Sequence, residues 1–165
     1  PCPGCARIIR QFWATAEGLS SAEQSLLHEL EGRVLDMGLF VQEVLGAKAL
    51  PPTGKDTVPT VCHQPCHLPP EVNLEGLVRL DPRHQILPLR EADSCCGGGI
   101  FAFSQPELSA RLGQRKRDFI AASGAHEVIT ACPACVMQLT DMLARNRDRI
   151  QVRHWAESYA AALPE

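Results

Sequence analysis

Two cysteines stand side by side, Cys95 and Cys96, and run directly into Gly97, Gly98 and Gly99. No other feature restricts this chain so strongly. Neighbouring Cα atoms lie closer than a relaxed disulfide allows, so the pair is poorly suited to bridge itself. Two CxxC pairs accompany it, Cys2/Cys5 and Cys132/Cys135. That spacing is common among metal ligands. The chain has 8 cysteines in 165 residues. An oxidising compartment would use them as disulfides and a reducing one for metal or redox work. The spacings point to the second, with free thiols in a cytoplasmic setting.

The rest of the composition excludes more than it suggests. With 16 basic and 19 acidic residues the net charge is -3, which gives no electrostatic case for nucleic acid or an anionic membrane. No run of about 18 apolar residues occurs, so no membrane span is expected. The opening PCPGCARIIRQFW has no basic region leading into an apolar one, so it does not read as a signal peptide. An apolar share of 45% and a charged share of 21% suit an ordinary packed domain. The length suits one domain, or one domain with part of a second.

Along the chain, residues 6–17 read as a helix. Leu26, Leu27, Leu30, Val34, Leu35, Leu39 and Val41 recur at three- and four-residue steps, predicting one helix over 20–45, capped by Ser20 or Ser21 and stopped by Gly46. Pro51–Gly54 reads as a linker. From there the pattern alternates. Strands are predicted at 57–62, 85–89, 126–131 and 150–154, and helices at 70–80, 105–122, 133–145 and 155–163. Pro106 and Pro133 sit just inside two helix starts, where proline fits. The alternation predicts an α/β fold: a parallel sheet of about four strands flanked by helices. Two regions follow, a helical tail over 1–50 and a cysteine-rich α/β domain over 57–165. Cys2-Pro-Gly-Cys5 and Cys132-Pro-Ala-Cys135 each lead into a helix, a weak internal repeat.

Cys66, the pair Cys95 and Cys96, and the pair Cys132 and Cys135 each follow a predicted strand. In a parallel sheet the carboxyl ends of strands share one edge, which is where ligands bind. Residues dozens of positions apart should therefore converge. Five thiolates in one place repel unless a cation neutralises them. An iron–sulfur cluster and zinc both serve. Five candidates exceed the four ligands of a structural zinc site, and adjacent cysteines suit two irons better than one tetrahedral ion. Gly97, Gly98 and Gly99 let backbone approach the centre and aim N–H groups at anionic sulfur.

The segments CHQPCHL, DSCCGGG, FAFSQPELSARL, VITACPAC and VRHWAESYAAAL carry a resemblance. The chain resembles the cysteine-rich CCG domain family, most of all the iron–sulfur subunit of glycolate oxidase. It is also similar to lactate-utilisation iron–sulfur proteins and to the CCG-bearing subunit of heterodisulfide reductase. The resemblance covers nearly the whole chain, with 1–50 resembling the end of a preceding CCG domain. Two departures stand out: the 28 residues between Cys66 and Cys95 are a few short of the family's spacing, and the glycine segment is about one short.

The resemblance implies that Cys66, Cys95, Cys96, Cys132 and Cys135 hold a [4Fe-4S] centre, cubane or non-cubane, with zinc as the alternative. It implies a flavoprotein dehydrogenase subunit as partner and a quinone or membrane-associated acceptor, with the chain relaying electrons in the cytoplasm or on the inner face of the membrane. A heterodisulfide-reductase-like site would instead cleave a disulfide at the cluster.

Other residues have plainer readings. Cys62 is expected in the strand core. Cys2 and Cys5 are not placed in the main site. His63 and His67 flank Cys66 as ligands or proton carriers, or as ordinary hydrogen-bonding residues. His126 and His154 are expected to be structural. Arg111, Arg115, Lys116 and Arg117 read as a solvated helix face, with docking of a partner as the alternative. Trp13 and Trp155 read as packing residues.

Overall fold

The computed structural model describes residues 2–52 and 57–164. Two residues of the expected linker, Thr53 and Gly54, lie outside the described residues.

Four strands, β1 (Val58–His63), β2 (His84–Ile86), β3 (Glu127–Thr130) and β4 (Gln151–His154), form one sheet in the order β2-β1-β3-β4. Every pairing is parallel. The expected α/β fold is therefore the one observed. The central strands β1 and β3 are covered on both faces, which explains why VPTVCH and EVIT read as short apolar runs with little alternation. Alternation reappears in how they pack. Val61 and Val128 face Ile120, Leu139 and Leu143 of α6 (Pro106–Ala122) and α7 (Pro133–Arg145). Cys62 and Ile129 face the opposite layer, with Leu74, Leu77 and Val78 of α4 (Leu74–Val78) and Trp155 of α8 (Trp155–Ala160).

Cys62 is thus a core residue, as its strand position predicts, and burial pushes its thiol up to about 12. Cys62→Ala is expected to lower stability by about 1–2 kcal/mol, the range for a small core truncation. Metal content should stay unchanged, checked by thermal unfolding beside metal analysis. Loss of metal would move Cys62 into the site.

The amino-terminal half departs from the periodicity. α1 spans Pro3–Gln11, with a single 3-10 turn at Trp13–Thr15. The helix predicted over 20–45 is two pieces. α2 (Ser21–Glu31) has a capping box between Ser20 and Glu23, but none of its residues is buried. Leu26 is 65% exposed and Leu30 36%, so its apolar stripe is left largely uncovered. The chain then breaks at Gly32 and restarts at α3 (Met37–Leu39), which runs into a π-helical turn at Phe40–Val44. Asp36 makes the restart, its Oδ1 accepting from Gly38 N–H at 2.7 Å. A side-chain cap won over continued periodicity. α4 likewise starts later than predicted, because Asn73 caps it. β2 is shorter than predicted, ending before Pro88. A short helix over FAFS, α5 (Phe101–Ser104), is one that the sequence pattern does not announce.

Asp36 carries a pH signature. It is 1% exposed, and its Oδ2 is buried with no partner. Burial raises its pKa above the ordinary 3.8. A carboxyl that holds its proton more tightly when folded works against folding once ionised. That penalty is absent well below 3.8 and grows as pH rises through the ordinary and then the folded value. Asp36→Asn keeps the cap and removes the charge. Its melting temperature should exceed the parent's at pH 7, with the gap closing towards pH 3. A gap independent of pH would count against this account.

The amino edge of the sheet is closed by an ionic network. His84 Nε2 meets Ser158 Oγ at 2.8 Å and Asp81 at 3.2 Å, and its Nδ1 meets Glu127 at 3.3 Å. Arg83 and Arg153 pair with these carboxylates from outside. The carboxyl edge has no such closure among the described residues, and the cysteines lie there.

Candidate metal centre

β1 ends at His63, and the chain turns so that Cys66 follows at the carboxyl edge. Beyond β2, an extended segment leads to Cys95 and Cys96. Gln64 N–H donates to Ala92 O at 3.0 Å, tying the first loop to the second. β3 ends at Thr130, and Cys132 then serves as N-cap of α7, with Cys135 in its first turn. Three loops from three parallel strands thus meet at one edge.

The thiols influence one another in a chain. Cys66 interacts with Cys95 and lies within electrostatic reach of Cys96. Cys135 interacts with both Cys96 and Cys132, its sulfur within 4.8 Å of that of Cys96. The group is graded in depth: Cys96 and Cys135 are buried, Cys95 and Cys132 half-buried, and Cys66 exposed. None is disulfide-bonded.

Their protonation is divided. Interaction with the Cys135 thiol lowers both Cys96 and Cys132 and holds Cys135 itself well above the usual thiol range. Cys96 gains further from His63. Cys132 falls to about 6, helped by the backbone N–H groups of Cys135 and Ala134 at the start of α7. Burial pushes the Cys66 thiol up, and the neighbouring Cys95 and Cys96 add to the shift. Two sulfurs are therefore thiolate-prone and crowded by other thiols. Such a set is suited to a positive centre, which would take up the charge.

Gly97 and Gly98 shape the backbone here. Gly97 adopts φ +81°, and a Cβ on it would meet Ser109 O at 2.5 Å. A Cβ on Gly98 would meet Ala134 O at 2.9 Å. The Gly97 N–H donates to Cys95 Sγ at 3.3 Å, and the Gly98 N–H is directed at Cys96. Gly99 has φ +73° in open space.

One correction concerns the surroundings. The Arg111–Arg117 run is not a uniformly solvated face. Arg115 pairs with Glu91 at 2.6 Å and Arg117 with Asp148 at 2.5 Å. Lys116 is 1% exposed and donates to Glu91 O. Its ammonium lies within electrostatic reach of Cys96 and Cys95 and is the buried cation nearest the thiols among the described residues. The sequence does carry a signal for this: Ser109, Gly113, Lys116 and Ile120 follow helical spacing, and all four are buried on α6. Cys2, not placed in the main site from the sequence, lies within electrostatic reach of it. It caps α1 as Cys132 caps α7, and its thiol feels Cys132. Cys2 lines a cavity of about 250 Å³ with Met37, Ala131, Pro133 and His154. Cys5 is exposed, with its sulfur 3.1 Å from that of Cys2. Among the remaining sequence candidates, His67 is exposed beside Gly4. His154 accepts from Ala156 N–H as the cap of α8. Trp155 is 2% exposed, while Trp13 is 44% exposed.

A parallel α/β domain with a graded set of thiols at its carboxyl edge defines a cysteine-rich metal-binding class. Residues 60–140, from β1 to α7, match the model of the CCG cysteine-rich domain. The chain belongs to the CCG cysteine-rich domain family. It is 27% identical to lactate utilization protein A 1 of Bacillus mycoides over 160 residues, which is 95% of this chain and 65% of that protein. It is 28% identical to lactate utilization protein A 1 of Bacillus anthracis over 169 residues, 99% of this chain and 69% of the relative. An uncharacterized iron-sulfur protein of Methanococcus maripaludis is 35% identical over 88 residues, 50% of this chain and 18% of the relative. The chain thus spans about two thirds of the length of the lactate utilization proteins it matches. No described helix is long and apolar enough to cross a membrane.

Proposed function

We propose that this chain is an iron–sulfur electron relay of a 2-hydroxy-acid dehydrogenase system of the lactate or glycolate type. The observation that carries it is the meeting of Cys66, Cys95, Cys96, Cys132 and Cys135 at one sheet edge. The names of the relatives support both the metal chemistry and the lactate connection. The thiol set fits a cluster: five sulfurs, two thiolate-prone, with a buried Lys116 and two N–H donors beside them. These five cysteines would hold a [4Fe-4S] group, cubane or non-cubane, which supplies one-electron chemistry.

The protein's own contribution is positional and electrostatic. Lys116 and the Gly97 and Gly98 amides place positive charge and hydrogen bonds at sulfur, which favours the reduced state. The exposed Cys66 marks the side from which electrons enter or leave. A flavoprotein subunit would oxidise the hydroxy acid and pass electrons to this face. A quinone at the cytoplasmic face of the membrane would accept them.

The test is iron, zinc and acid-labile sulfide content of anaerobically purified protein, with an electron paramagnetic resonance spectrum after reduction. About four irons and four sulfides per chain are expected. One zinc without sulfide would sink the relay reading and leave a structural module.

A further inference from the structure

The five thiols do not account for His63. This residue closes β1, paired in register with Thr130 of β3, and is 1% exposed. Its ring is fixed in direction. Nδ1 lies 3.1 Å from Ala92 O. A carbonyl only accepts, so Nδ1 carries the hydrogen, and in the neutral ring Nε2 is then a bare lone pair. That nitrogen is buried and has no hydrogen-bond partner. A ring nitrogen of His63 lies with the sulfurs of Cys96 and Cys135 in a group whose members are all within 4.8 Å of one another, and with Nδ1 engaged at Ala92 O it is Nε2 that is free to bind.

In the neutral ring Nε2 has no hydrogen to give to the Cys96 sulfur beside it, and only a second proton on the ring would turn that approach into a hydrogen bond. Leaving a buried acceptor without a donor is unfavourable. A histidine that binds metal through one nitrogen typically donates its other N–H to a backbone carbonyl or carboxylate, which sets both tautomer and ring orientation. Ala92 O supplies that anchor here, and it also accepts from Gln64 N–H, so the carbonyl is itself held in place.

We propose that His63 is a protein ligand of the metal centre, binding through Nε2 beside Cys96 and Cys135. The identity of the metal rests on the iron–sulfur reading; the imidazole ligand does not. An imidazole ligand is neutral where a thiolate is anionic, so its presence among the ligands raises the reduction potential of an iron–sulfur centre.

The experiment uses the chain labelled with ¹⁵N-histidine, purified anaerobically, reduced, and measured by pulsed electron paramagnetic resonance. A strong nitrogen coupling of directly bound imidazole is expected in the parent and in His67→Gln. It should be lost in His63→Gln. His63→Cys, which keeps a ligand, should retain the centre, lose the nitrogen coupling and shift the midpoint potential downwards. A centre with only the weak couplings of a hydrogen-bonded imidazolium would overturn the proposal and leave the relay reading intact. If the chain instead holds zinc, the relay reading fails, and Co²⁺ exchanged into the site reports on His63. A mixed sulfur–nitrogen ligand-field spectrum that changes in His63→Gln supports the ligand, and one identical in parent and variant overturns it.

Discussion

Cys96→Ser is expected to abolish the centre. Cys96 is the hub of the thiol set: Cys66 feels it from one side, the Cys135 sulfur lies within 4.8 Å of it on the other, and it is 2% exposed. A serine hydroxyl there is a poor soft-metal ligand and stays protonated, so the site loses both a ligand and a negative charge. Iron and sulfide should fall below about one tenth of the parent's. Folding should suffer too, because a group bound only by the folded state stabilises it by mass action, about 3–4 kcal/mol at ligand levels of 100 to 1,000 times the dissociation constant. For a chain of this size that lowers the melting temperature by roughly 6–16 °C. The control is Cys62→Ser, whose sulfur faces the other side of the sheet. If Cys62→Ser lost metal while Cys66→Ser kept it, the ligand assignment would be wrong.

Gly97→Ala is expected to have an effect nearly as large by a different route. The residue sits at φ +81°, where an L side chain costs about 1–2 kcal/mol. In addition, the new Cβ would stand 2.5 Å from Ser109 O, a backbone atom within α6 that cannot swing aside. Ser109 Oγ also donates to Gly97 O at 2.8 Å, so moving the loop away breaks that bond. Together these predict a loss of about 2–4 kcal/mol, read as a lower midpoint in chemical denaturation. Reduced metal loading should accompany it, since Gly97 N–H donates to Cys95 Sγ. Gly99→Ala is the comparison: its φ is +73°, but nothing crowds its Cβ, so it should lose only the backbone strain. Equal losses at Gly97 and Gly99 would refute the contact with α6.

How much of this is legible in the sequence varies by region. The sheet is, because buried parallel strands must be short apolar runs between helices, and Val58–His63 and Glu127–Thr130 have that form. The expected gathering of cysteines follows from the same rule, since the carboxyl ends of parallel strands share an edge. The amino-terminal half is not legible. Its stripe of leucines predicts a continuous helix, but a stripe does not say what covers it, and Asp36 offers a local cap that ends the matter.

Residue chemistry divides similarly. Lys116 looks like its charged neighbours in composition, and only the docking of α6 against the Glu91 loop sends it inward. His63 reads equally well as an ordinary histidine until the Ala92 carbonyl fixes its tautomer. The sequence by itself determined the strand order's consequence: which residues reach the reactive edge. It also placed the glycine run Gly97 to Gly99 directly after the cysteine pair. The tertiary structure alone decided depth, tautomer and charge, namely which thiol is buried, which nitrogen is bare, and which lysine faces sulfur. The first set depends on local periodicity and chain direction, which are written in neighbouring residues. The second depends on atoms brought together from positions far apart in the chain, where a shift of an ångström changes a partner.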